Sequence, residues 1–237
     1  MIYITGDTHR DFTRFNNKEY TEQDIVIILG DVGLNYYLDI KDMIEKEKLK
    51  RHHKNIFFCI RGNHEERCEN IPTYKEIDMF GDKVYIEEEY PNIIFAKDGG
   101  IYNIEGNTIL TIGGAYSIDK PYRLLYGYNW FKDEQLTNDE MNNILNKVKN
   151  KHFDIVLTHT CPYKYEPKEV FIEGLDQSKV DKSMEHFLDK VEENITYNKW
   201  YCGHYHTCKQ VDNIEFMFQD IKELQLYTKN DTLVYKK

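Results

Sequence analysis

The stretch "MIYITGDTHRD" occupies residues 1–11, and its change of character at Gly6 sets a pattern for the whole chain. An apolar run stops at a glycine, and Asp7 and His9 follow at once. In an extended segment, residues two apart point to the same face, so this spacing predicts that Asp7 and His9 act together. The glycine supplies the small residue that a sharp turn needs.

The arrangement recurs. "IVIIL" (25–29) delivers Gly30 and Asp31, and "IFFCI" (56–60) delivers Arg61, Gly62, Asn63, His64 and Glu65. "DIVLT" (154–158) delivers His159, and "WYC" (200–202) delivers Gly203, His204 and His206. These runs are continuous rather than alternating, as strands covered on both faces are. Charged stretches at 39–51, 133–150 and 180–194 carry apolar positions at helical spacing and read as helices. Thr137 with Glu140 forms a candidate capping box, and Asp133 is a competing start. Strands alternating with helices predict an α/β architecture. Residues 70–106 read instead as a β meander that extends a sheet of the same domain. There is no repeat and no Pro/Gly/Ser-rich linker, so 1–237 reads as one domain.

In α/β sheets, sites form at the carboxyl ends of strands, so five polar clusters spread over about 200 residues are expected to converge. Carboxylate, imidazole and one amide oxygen, with no thiolate, suit Mn, Fe, Zn or a similar ion. A sulfur-rich zinc site on Cys202, His204, His206 and Cys208 is a weaker alternative, because C-x-H-x-H-x-C departs from common zinc spacings.

The set "GDTH", "GD", "GNHE", "TH" and "GHYH", in this order over residues 6–206, resembles the calcineurin-like metallophosphoesterase superfamily. The resemblance implies a four-layer α/β/β/α sandwich of two mixed β-sheets flanked by helices, with a site for two divalent metal ions. Carried over position by position, Asp7, His9 and His206 would bind the first metal. Asn63, His159 and His204 would bind the second, and Asp31 would bridge them. His64 matches the family's histidine that faces the leaving group, and Arg61 matches a phosphate contact. Arg123 and Arg10 are further candidate substrate contacts, although Arg10 pairing with Asp11 on the surface is favoured. Two such metals generate hydroxide near neutral pH and clamp phosphoryl oxygens during in-line attack.

Two departures separate this chain from the serine/threonine phosphatase branch. Leu34 and Asn35 stand where that branch has Asp and Arg, and Arg10 stands where it has Gly. These argue for a different substrate and leave His64 without an identified orienting partner.

The remaining properties bound the function. The 237 residues carry a formal charge of −10, which offers no grip on long nucleic acid. No apolar run reaches the roughly 18 residues of a membrane span, so no membrane partner is expected. No secretory signal is evident, and five scattered cysteines suit a reducing, cytoplasmic setting. Aromatic residues crowd 116–131 and 161–171, where they either stack a nucleobase or pack a long loop. The expectation is a phosphoesterase acting on a small phosphorylated molecule, a nucleotide among the candidates, with monoesters favoured. The alternatives are a phosphodiesterase for cyclic or short nucleotides and a non-catalytic metal-binding regulator.

Overall fold

The computed structural model describes residues 1–227, so the last part of the expected 1–237 domain lies outside the described residues. Strands and α-helices are mixed along the chain, with a run of six strands between the first and second helices. In chain order the elements are β1 (Ile2–Thr5), β2 (Ile25–Ile28), α1 (Ile40–His52), β3 (Ile56–Cys59), β4 (Tyr74–Met79), β5 (Asp82–Glu87), β6 (Ile93–Ala96), β7 (Gly100–Ile104) and β8 (Asn107–Ile112). Then come α2 (Lys120–Tyr126), α3 (Asn138–Val148), β9 (His152–Thr158), α4 (Ser183–Asn194), β10 (Thr196–Cys202), β11 (Lys209–Val211), β12 (Ile214–Phe216) and β13 (Lys222–Glu223).

The strands form two mixed sheets. One has 7 strands in the order β13-β1-β2-β3-β6-β5-β4, the other 6 in the order β11-β12-β10-β9-β8-β7. Within them β1, β2, β3 and β6 run parallel, as do β8, β9, β10 and β12. The carboxyl ends of β1, β2 and β3 therefore share one edge of the first sheet, and those of β9 and β10 share one edge of the second.

Alternation along the buried strands sorts side chains into layers. Ile4, Ile27, Phe58, Ile155, Leu157 and Tyr201 meet in the core between the sheets. Tyr3, Val26, Ile28, Phe57 and Cys59 point the other way, toward Leu49 of α1. Val156, Trp200 and Cys202 pack beneath Ile144 of α3 and Phe187 and Val191 of α4. Helix, sheet, sheet, helix is thus the layering, as the sequence resemblance implies.

Three details differ from the sequence reading or sharpen it. The meander is split: β4, β5 and β6 pair antiparallel in the first sheet, but β7 crosses to pair with β8 in the second. Helix α3 starts at the capping box, with Glu140 N–H donating to Thr137 Oγ1 and Thr137 N–H to Glu140 Oε2, so Asp133 is not the start. Helix α1 does not bury an apolar stripe. Ile40, Met43 and Ile44 are exposed, while Asp42 and Lys46 are buried against Arg10 and Glu87. Ion pairs with distant residues, rather than a hydrophobic face, decide how α1 is rotated.

No helix among the described residues is long and apolar enough to cross a membrane. Leu157 is fully buried between the sheets just before the site-bearing loop. Leu157→Ala is expected to destabilise the protein by about 2–5 kcal/mol, read as a shift in the denaturation midpoint, because a cavity between two sheets closes poorly.

Candidate metal centre

Each polar cluster follows its strand without a spacer, and the loops lock onto one another across the two sheets. His204 N–H donates to Asp7 Oδ1 at 3.0 Å, and Gly203 N–H donates to the carbonyl of His159 at 2.9 Å. His9 N–H donates to the carbonyl of Asp31 at 2.8 Å, and His64 N–H donates to Asp31 Oδ1 at 2.9 Å. Close approach is what the glycines permit. A Cβ on Gly30 would lie 2.1 Å from His159 Nδ1, and one on Gly62 would lie 2.0 Å from Asp31 Oδ1.

The backbone here is strained rather than extended. His9, Asp31, His204 and His206 have φ of 44°, 44°, 67° and 49°, the left-handed region that non-glycine residues avoid. Extended backbone would put His204 and His206 on one face as it would Asp7 and His9; Asp7 and His9 do meet, whereas the two histidines do not. His204 and His206 diverge: the His204 ring packs on His159 with centroids 5.0 Å apart, while His206 reaches His9.

Two groups of ligand atoms result. In the first, His9 Nε2 and His206 Nε2 are 2.9 Å apart, and Asp7 Oδ2 lies 3.2 Å from His206 Nε2 and 3.8 Å from His9 Nε2. In the second, His159 Nε2 lies 2.9 Å from Asn63 Oδ1 and 3.7 Å from Asp31 Oδ1, with His204 alongside. Asp31 faces both groups, since its Oδ2 is 4.0 Å from His9 Nε2.

These residues fit a bound cation on three observations. First, Asp7 Oδ2 is buried and has no hydrogen-bond partner. Second, His159 and Asn63 present two acceptors to each other. His159 Nδ1–H donates to the carbonyl of Leu29 at 2.7 Å, so in the neutral ring Nε2 carries a lone pair. Asn63 Nδ2 donates to Ser117 Oγ at 2.9 Å, and Ser117 Oγ donates to Glu134 Oε2, so Oδ1 is the amide atom turned to His159. Two lone pairs at such a distance repel unless a cation stands between the ligands. Third, atoms about 2.0–2.2 Å from a common ion stand about 3 Å or a little more apart, the spacing seen here.

The electrostatics prepare the same donor set. Burial opposes ionisation of Asp31, but His64, His159 and His9 and the His64 N–H outweigh it and hold its carboxyl well below the ordinary range. Asp7 is likewise buried yet lowered, chiefly by His206 and then His159. Burial, with His159 beside it, pushes His204 down to about 3, which keeps the ring neutral and ready to coordinate.

The arginines do not stand where the sequence resemblance puts them. Arg61 is buried, and its guanidinium is consumed by Asp98 Oδ2 (3.0 and 3.2 Å) and by the carbonyl of Glu134 (2.9 Å). It faces a separate cavity with Arg67 and Glu140, so it braces the Glu134 segment instead of reaching the cleft. Arg10 pairs neither with Asp11 nor with the cleft. It turns to Asp42 at 2.7 Å and lies over the Tyr37 ring, while Asp11 binds Thr13. Arg123 is the cation at the centre. Its Nη2 lies 3.2 Å from His64 Nε2, with Asp119 (2.8 Å) and Tyr36 Oη (3.0 Å) holding the guanidinium. Burial and then the Arg123 charge lower the His64 pKa against the pull of Asp31.

Several contributors escaped the sequence reading. Glu65 accepts from the backbone N–H of both Gly33 and Gly62, tying the β2 and β3 loops together. Ser117 and Glu134 orient Asn63, and Asp119, just before the short α2, holds the Arg123 guanidinium. Leu34 and Asn35 are buried, and Asn35 accepts from Tyr74 Oη, so both serve packing. The cysteines join neither ligand group among the described residues: Cys202 lies in the outer core, and Cys208 is exposed. Of the aromatic segments, Tyr122, Tyr126 and Tyr128 cluster on the exposed rim, while Tyr116 and Phe171 line the cleft.

Ser117→Ala frees the Asn63 amide to rotate. Loss of such an outer partner is expected to weaken metal binding about 10–100-fold, read by competition with a chelating dye. Unchanged affinity would show that Asn63 needs no orienting group.

Comparison with curated protein sequences finds no match. Among solved structures, the phosphopantetheinyl hydrolase from Mycobacterium tuberculosis superposes with a TM-score of 0.47 at 11% identity, covering 92% of this chain and 87% of that one. The family model for calcineurin-like phosphoesterases matches residues 1–208, a span that holds every ligand described above, and the chain belongs to that family.

Proposed function

We propose that the protein is a phosphoesterase that uses two divalent metal ions to hydrolyse a small phosphorylated substrate, with monoesters preferred. The observation that carries this reading is the place of Asp31. One carboxylate faces both ligand groups, with His64 and Arg123 on its cleft side. Asp7, His9 and His206 would hold one ion, and Asn63, His159 and His204 the other, with Asp31 shared between them. The donor set of imidazole, carboxylate and amide suits Mn, Fe or Zn. When bound, such ions supply Lewis-acid polarisation of the phosphoryl group and a water of lowered pKa.

The chain's own residues do the rest. Arg123 supplies the cation beside the phosphate, the role that Arg61 cannot fill because Asp98 and Glu134 occupy it. An extra cation helps a dianionic terminal phosphate more than a diester, which favours the monoester. Burial, and then the Arg123 guanidinium, lower the His64 pKa and so oppose its protonation. A phosphate dianion entering between them reverses that field, so His64 takes up a proton and gives it to the departing oxygen. A nucleoside monophosphate falls within this substrate class.

Removal of metal by a chelator is expected to abolish ester hydrolysis, with recovery on adding back Mn, Fe or Zn. Metal-loaded protein that hydrolyses neither mono- nor diesters would overturn the reading. His64→Ala should lower kcat about 10²–10⁴-fold on an alkyl phosphate and far less on p-nitrophenyl phosphate, whose leaving group needs no proton. Arg123→Ala should raise KM for monoesters while a diester is spared. An equal loss on both would leave the monoester preference without support.

A further inference from the structure

Beside the metal centre lies a cavity of about 330 Å³, with Asp31, Asn63 and His64 on its inner wall. The outer walls are apolar, formed by Ile118, Phe171, Leu175 and Val180. Phe171 is stacked on Tyr205, with centroids 6.2 Å and planes 17° apart, which gives the cavity a flat aromatic side.

Beside Asn63, Gln177 and the histidines of the centre, the cavity lining includes two acidic residues, Glu185 and Asp119, away from the candidate ligands. Glu185 is only 2% exposed; its Oε1 accepts from Thr160 Oγ1 at 2.7 Å, and its Oε2 is buried without any hydrogen bond. Asp119 binds Arg123 through Oδ2, and its Oδ1 is likewise buried and unpartnered. Among the described residues, Lys182 is the one lysine or arginine that lines the cavity, and its Nζ is committed to Glu166 Oε1 at 2.6 Å. Burial raises the Glu185 carboxyl to about 7. An anion entering beside it meets no free cation, whereas an amine entering there favours its ionised form and pairs with it. The cavity also offers acceptors that lack donors, and buried polar atoms are normally satisfied.

We propose that this cavity takes the alcohol half of the substrate, and that this half has an apolar or aromatic body, no negative charge, and an N–H or O–H donor directed to Glu185. The proposal rests on the phosphoesterase reading and narrows its substrate class. Nucleoside di- and triphosphates and carboxylated alcohols are disfavoured, because their extra anion meets no free cation in the cavity. Neutral or amine-bearing alcohols, nucleosides among them, are admitted. The phosphoryl group sits at the metal centre, and the alcohol body lies against Phe171 and Leu175.

Binding is the test, so that turnover can fail independently. Three non-hydrolysable probes share one phosphonate: benzylphosphonate, its 4-aminomethyl derivative and its 4-carboxy derivative. Calorimetry on the metal-loaded full chain should give the amine about tenfold tighter and the carboxylate about tenfold weaker than the parent. Glu185→Gln keeps an acceptor for Thr160 and should shrink the amine preference below about threefold. Leu175→Asp should weaken the parent about tenfold while thermal melting reports whether the fold is kept. Carboxylate binding as tight as the parent, or an amine preference that survives in Glu185→Gln, would overturn the proposal. Hydrolysis of phenyl phosphate by the same preparations is scored separately. Turnover without discrimination among the probes defeats only this inference, and discrimination without turnover of any ester defeats only the phosphoesterase reading.

Discussion

Two ionised carboxylates buried at the junction of two sheets are the constraint on which the rest of the molecule depends. Asp7 and Asp31 are nearly inaccessible, and an isolated buried carboxylate would be prohibitively unstable. Everything nearby compensates for them. The backbone N–H groups of His204 and His64 point at their oxygens, and the loops bend through left-handed φ values so that these N–H groups arrive. The glycines at 30 and 62 exist where the loops come too close for a side chain. The left-handed φ values cost stability, and even so Asp7 Oδ2 and the His159–Asn63 pair are left without a partner. A cation resolves all of them at once, so the strained geometry and the metal-binding chemistry have a single cause.

The parts of the fold legible in the sequence were those set by local pattern. Continuous apolar runs announced parallel strands buried on both faces, and Thr137 with Glu140 marked the true start of α3. The residues that the loops bring together at the centre were legible because each lies within a few residues of a strand end. What stayed hidden was set by partners far apart in sequence. Arg61 precedes "GNHE" and reads as a phosphate contact, yet Asp98, thirty-seven residues on, takes its guanidinium. Helix α1 has apolar residues at helical spacing, but Arg10–Asp42 and Lys46–Glu87 rotate them into solvent. The two-residue periodicity of His204 and His206 misled for another reason: it holds only in extended backbone, and this loop is bent.

Ser117 and Glu134, both beyond the end of β8, reach the centre without offering it a ligand atom, and Arg61 beyond β3 supports them. Ser117 lies just beyond β8 and orients Asn63 from the first sheet, and Glu134 holds Ser117 through both its hydroxyl and its N–H. Arg61 in turn grips the carbonyl of Glu134. The arginine is thus a positioning residue for the amide two places along its own chain. Its contribution to the centre passes through geometry rather than through charge.

Chemistry and selectivity meet on the short α2 segment. Asp119 and Arg123 are one helical turn apart and joined by an ion pair. Arg123 looks inward to His64, while Asp119 lines the cavity and keeps one oxygen buried without a hydrogen bond. A group that settles against Asp119 therefore acts on the same ion pair that sets the field at His64. An anion there would compete with Asp119 for Arg123 and draw the guanidinium away from the phosphate position. A donor there would satisfy Asp119 without disturbing Arg123. On the proposed reading, the ion pair that favours a donor in the cavity would also keep the cation at His64 in place, so selection and chemistry would rest on one contact.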